Sequence, residues 1–117
     1  MAKDKKNNGG LNGAILDQLY AVIESRRDAD PAQSRSAKLF AKGPDKIAQK
    51  VGEEAVEAVI EAVKGDNKAF AEESADLLYH LLVLWAARGL APSDIWGVLQ
   101  ARQGTSGVAE KAARAKD

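Results

Sequence analysis

The chain contains no cysteine, so it has no disulfide, no thiolate-bound zinc and no cysteine nucleophile. It also lacks net charge, because 17 Lys and Arg side chains balance 17 Asp and Glu. A general nucleic-acid binder carries a basic excess, so no nucleic-acid partner is expected. No apolar run approaches the ~20 residues of a membrane span. The opening Met1-Ala2-Lys3-Asp4-Lys5-Lys6 is polar and does not read as a signal peptide. The expected setting is the cytoplasm, without membrane contact. The glycines also lack the spacing of a phosphate-binding P-loop.

What the chain does have is charge sorted by position. Residues 1–50 carry ten basic and six acidic side chains, residues 51–76 two and eight, and residues 77–117 five and three. The acidic middle consists of two clusters, Glu53-Glu54-Ala55-Val56-Glu57 and Glu73-Ser74-Ala75-Asp76. Both sit in segments whose apolar residues demand burial. This order suits a small anionic ligand held between basic side chains and a metal-loaded acidic centre.

With 117 residues, the chain fits one domain. Residues 1–10 read as a flexible leader and residues 11–117 as a single all-α domain. Ile15, Leu16, Leu19, Tyr20, Val22 and Ile23 fall at helical spacing and predict a helix from Leu11 to about Arg27, ahead of Pro31. A short helix is expected from Ser34 to Ala41. A long helix follows from Asp45 to Lys64, opened by Pro44 and Asp45 and closed by Gly65. Its expected buried stripe is Ile47, Val51, Ala55, Val59 and Val63, widened by Val56 and Ile60. Gly52 costs about 1 kcal/mol there against Ala, which points to a close approach by backbone or ligand.

A second long helix is expected from Lys68 to Arg88. Its run from Leu77 to Trp85 is apolar on nearly all sides, and such a helix is buried all round. A chain of this size scarcely surrounds it alone, so a subunit interface is inferred. Ser93 is expected to cap a further helix from Asp94 to Arg102, with a last short helix after Gly107. No strand pattern is present. The expected fold is an all-α helical bundle of two long antiparallel helices plus shorter ones, completed by homodimerisation.

Taken singly, each glutamate reads as part of a solvated helix face. Two i,i+3 pairs on consecutive antiparallel helices, Glu54/Glu57 and Glu73/Asp76, do not. Residues three or four apart share a face, with Cβ atoms roughly 5–6 Å apart. Ionised carboxylates crowded together out of water need a cation between them. Clustered oxygen ligands suit Mg²⁺, which usually arrives with phosphates. A di-iron bundle would require Glu-x-x-His, but His80, the only histidine, stands four after Asp76 and seven after Glu73. Mg²⁺ or Mn²⁺ is therefore expected over iron or zinc.

His80 reads as a core histidine that orients the Asp76 carboxylate. Lys38, Lys42, Lys46 and Lys50 recur every four positions. They serve either as solubilising lysines or as a cluster that neutralises substrate phosphates. Arg102, Lys111 and Arg114 are further cations within the reach of an anionic ligand. The non-enzymatic alternative is a helical module whose acidic face binds a basic partner.

These residues resemble a known family. Glu53-Glu54-x-x-Glu57 followed by Glu73-x-x-Asp76 is similar to the MazG-like all-α nucleoside-triphosphate pyrophosphohydrolases. Ala37-Lys38-Leu39-Phe40-Ala41-Lys42-Gly43, Lys46 to Glu57 and Asp76 to Val83 narrow the likeness to phosphoribosyl-ATP pyrophosphohydrolase. Leu99-x-x-Arg102, Ser106-Gly107 and Glu110-Lys111-x-x-Arg114 extend it, so that it covers nearly everything after Leu11. The resemblance implies Mg²⁺-dependent hydrolysis of phosphoribosyl-ATP to phosphoribosyl-AMP and pyrophosphate, the second step of histidine biosynthesis, by a dimeric helical bundle. It implies Glu54, Glu57, Glu73 and Asp76 as metal ligands, with Glu53 ligating or positioning water. Either Glu53 or Glu54 is the candidate base. A house-cleaning enzyme cleaving deoxynucleoside triphosphates with the same carboxylates is the alternative. In one place the chain departs from the family pattern: Ser34-Arg35-Ser36 stands where Ser-Tyr-Thr is expected before the Leu-Phe pair. The cyclohydrolase fused to many relatives uses cysteine-bound zinc and is not expected here.

Overall fold

A computed structural model describes residues 11–103 together with residues 111, 112 and 114. The leader at residues 1–10 and the tail motifs Ser106-Gly107 and Glu110 lie outside the described residues, as does most of the helix expected after Gly107. Among the described residues the chain is all-α, with five helices in the order α1 (Ala14–Ser25), α2 (Arg35–Lys42), α3 (Pro44–Lys64), α4 (Asn67–Ala87) and α5 (Pro92–Arg102). None is long and apolar enough to cross a membrane.

The boundaries follow from local chemistry. The Ser34 side chain accepts from the Ala37 N–H at 3.1 Å and caps α2. Gly43 takes φ +90°, and Pro44 opens α3 at a position needing no N–H donor. α3 ends at Gly65 (φ +81°), whose N–H reaches Ala62 O while the Asp66 N–H reaches Glu61 O, the paired closure of a Schellman motif. Asp66 then caps α4 by accepting from the Ala69 N–H at 3.0 Å. Two residues thus reverse the chain, and α3 and α4 form an antiparallel hairpin.

Two expected helix starts are corrected. α1 begins at Ala14 rather than Leu11, where the Ala14 N–H bonds to Asn12 Oδ1 at 2.8 Å. Ser93 is not the cap of α5. Pro92 takes the first position, and the Asp94 carboxylate reaches back to the Ala91 N–H at 2.9 Å.

The core gathers at the open end of the hairpin. Ile23 of α1, Leu39 of α2, Ile47 of α3 and Leu82, Val83 and Ala86 of α4 pack together there. Polar pins hold the shorter helices in place. Arg27 donates to Ala86 O at 2.8 Å while its guanidinium lies 4.5 Å from the Phe40 ring centroid. Tyr20 Oη bonds Leu90 O at 2.8 Å, and Trp96 packs edge-on against Trp85.

Toward the turn, none of the described residues covers the hairpin. Val56, Val59, Ile60 and Val63 are exposed, Val63 by 82%, so the described residues leave bare the stripe expected to bury Val59 and Val63. The helix apolar on all sides is likewise only partly enclosed, since Leu78 is exposed and Leu77 and Leu81 are half-buried. Gly52 is exposed, and a Cβ built there meets nothing within 4 Å. No close approach among the described residues explains this glycine.

Candidate active site

The hairpin's symmetry sets the carboxylates opposite one another. Glu57 lies eight residues before Gly65 and Glu73 eight after it, so each stands about 12 Å along its helix from the turn. Glu54, Glu57 and Glu73 each offer a carboxylate oxygen, and the three oxygens lie within 4.8 Å of one another. Glu54 is buried, whereas Glu57 is exposed and Glu73 half-buried.

Asp76 falls outside that trio, though its charge acts on Glu73. The Glu73 pKa is raised first by burial and then by the charges of Glu57, Glu54, Asp76 and Glu61. Glu57 is also raised, chiefly by the Glu54 charge beside it. The half-buried Glu61 is a member of this field, although taken singly it reads like the other glutamates as part of a solvated helix face. Its spacing, four after Glu57 and seven after Glu54, was the available signal.

Glu53 faces differently. It accepts from Gln49 Nε2 at 3.0 Å and lies 3.6 Å from Lys50 Nζ. The Gln49 bond, with help from Lys50, lowers its pKa. Lys50 is shared, since its Nζ is also 3.8 Å from Glu54 Oε2. Lys42, Lys46, Gln49, Lys50 and Glu53 line an open cavity of about 470 Å³. Arg35, Lys38, Leu39, Lys42, Lys50 and His80 line a second of about 240 Å³. Three of the four periodic lysines therefore meet Glu53 in one cavity, and Lys38 joins Lys42 and Lys50 in the other. Arg102 stands elsewhere, in a groove with Leu90, Ile95, Val98 and Leu99.

His80 is 1% exposed, and its Nδ1 lies 2.7 Å from the main-chain oxygen of Asp76. It therefore grips the backbone of Asp76 rather than the carboxylate expected from their spacing. A carbonyl only accepts, so Nδ1 carries the proton.

The donor set fits a hard divalent cation. Every donor is a carboxylate oxygen, and a cation would offset both the burial that leads the Glu73 shift and the like-charge crowding that leads the Glu57 shift.

Comparison with known proteins shows a single family across the chain. The family model described as phosphoribosyl-ATP pyrophosphohydrolase matches residues 16–103. A phosphoribosyl-ATP pyrophosphatase of Azospirillum brasilense is 60% identical over 114 residues, spanning 97% of this chain and 98% of the relative. Proteins of the same name from a Jannaschia species and from Gluconobacter oxydans are 62% and 56% identical. They span 85% and 88% of this chain and 97% and 77% of their own lengths.

Proposed function

The chain belongs to the phosphoribosyl-ATP pyrophosphohydrolase family, and we infer that it hydrolyses phosphoribosyl-ATP to phosphoribosyl-AMP and pyrophosphate, the second step of histidine biosynthesis. The observation that carries this reading is the meeting of Glu54, Glu57 and Glu73 across α3 and α4. Those three, with Asp76 one turn beyond Glu73, are the proposed ligands of Mg²⁺ or Mn²⁺. Such an ion, when bound, neutralises the triphosphate and polarises it toward attack.

The remaining work falls to the chain's own side chains. Lys38, Lys42, Lys46 and Lys50 offset substrate phosphate charge, Lys50 doing so beside Glu54. Arg102 is a further proposed substrate contact, set apart from these lysines on α5. The water oxygen attacks phosphorus, the bond to the departing pyrophosphate breaks, and the water's proton passes to a carboxylate. Of the two candidate bases, Glu53 is tied to Gln49 and Lys50 with a lowered pKa, which weakens it as a proton acceptor. Glu54, buried among the carboxylates, is the better placed. His80 fixes the backbone at Asp76.

The proposed assembly is a homodimer, supported by the bare apolar face of α3, and the proposed setting is the cytoplasm. The test pairs variants with a substrate panel. Glu57→Gln and Asp76→Asn are expected to lower Mg²⁺-dependent pyrophosphate release from phosphoribosyl-ATP by about 10²-fold or more. Rates near wild type would remove the site assignment. A preference for deoxynucleoside triphosphates over phosphoribosyl-ATP would instead favour the house-cleaning reading.

A further inference from the structure

Arg35 occupies the position where the chain departs from the pattern of the family it resembles, and the structure gives that residue an unusual setting. Ser34 caps α2, so Arg35 is the first residue of the helix. Its guanidinium carbon lies 4.9 Å from the Tyr79 ring centroid, within cation–π range. Its Nη2 stands 3.4 Å from His80 Nε2. With the His80 proton held on Nδ1 by the Asp76 carbonyl, Nε2 presents a lone pair, and a guanidinium can only donate. The Tyr79 ring is itself fixed by a 2.7 Å bond from its hydroxyl to Ser36 Oγ. An exposed arginine is thereby held in one orientation by a buried histidine and an anchored ring.

That orientation sets Arg35 in the wall of the 240 Å³ cavity with Lys38, Lys42, Lys50 and His80. The lining holds four cations and no carboxylate. Among the described residues, Lys50 is the only one of the four in an ion pair. Such a cavity repels metal ions and attracts an anion. It is smaller than the ~300–1,000 Å³ that encloses a whole drug-sized ligand, so it suits one group of a larger molecule. Lys50 joins it to the carboxylate centre at 3.8 Å from Glu54.

We propose that Arg35, positioned by His80 and Tyr79, is a substrate-binding residue that holds a phosphate group in this cavity together with Lys38 and Lys42. The proposal rests on the reading that the substrate is phosphoribosyl-ATP, whose phosphate reaching this cavity is either the ribosyl monophosphate or the pyrophosphate end of the triphosphate. Arginine suits either, since its planar fork bonds two phosphate oxygens at once and lysine cannot copy it.

The test measures steady-state kinetics of wild type, Arg35→Gln and Arg35→Lys. It adds calorimetric binding of ribose 5-phosphate and of pyrophosphate to each protein without metal. Arg35→Gln is expected to raise KM for phosphoribosyl-ATP about tenfold or more with a smaller change in kcat, and Arg35→Lys to recover part of the loss. The probe whose affinity falls in Arg35→Gln names the phosphate held. Unchanged KM and unchanged affinity for both probes would overturn the proposal, as would a fall in kcat alone. The binding arm reads the cavity even if phosphoribosyl-ATP is not cleaved, so failure of the substrate reading and failure of the Arg35 contact give different results.

Discussion

Glu54 shows what the site demands of single residues. It is 7% exposed, and its nearest cation is Lys50 at 3.8 Å. The Glu54 charge is the first cause of the raised Glu57 pKa, and at Glu73 it adds to the larger effects of burial and of the Glu57 charge. Because the folded protein holds those protons more tightly than the unfolded chain, their contribution to stability is complete below the ordinary value of 4.5 and is lost as pH rises through the raised ones. Glu53 has the opposite sign. Its lowered pKa contributes stability above 4.5, which is lost as pH falls through that lowered value. Glu73→Gln is therefore expected to stabilise the metal-free protein relative to wild type above pH 4.5, with a gain that shrinks toward that pH. Thermal melts in chelator across the range check this, and a gain independent of pH would contradict it. Adding Mg²⁺ is expected to raise the melting temperature of wild type more than that of the variant.

At the scale of elements, the two-residue reversal at Gly65-Asp66 decides which carboxylates meet. Gly65 sits at φ +81°, where an L side chain costs roughly 1–2 kcal/mol. Gly65→Ala is expected to lower stability by about that amount in urea unfolding. Little or no loss would show that the hairpin tolerates another closure. This turn was legible in the sequence because its chemistry is local: a glycine after the last helical turn and an aspartate opening the next. The Ser93 cap failed for an equally local reason. Pro92 suits the first helical position, so the cap fell on Ala91 and Asp94 supplied the returning bond.

Across the whole molecule, α1 and α2 cover only the open end of the hairpin. The face carrying Gly52, Val56, Val59 and Val63 lies opposite Glu54 around α3, and its valines are at least 59% exposed. Contiguous bare apolar surface of this kind marks an interface, and the glycine within it would let a second helix approach closely. Val59→Glu is expected to convert a dimer into a monomer in size-exclusion chromatography with light scattering. A wild type that already runs as a monomer would exclude the proposed assembly.

The sequence alone determined the five described helices apart from the starts of α1 and α5, the reversal between the two long ones and the identity of the acidic and basic residues. Helical period, caps and charge order act over a few neighbouring positions and survive without coordinates. Tertiary structure alone decided which groups meet. It buried Glu54 rather than Glu57, set Glu61 in the field of Glu73, and turned His80 toward a carbonyl instead of a carboxylate. It also brought Arg35 to His80 across 45 positions. Those outcomes depend on how far each helix is rotated about its own axis, which is set by packing against the rest of the molecule.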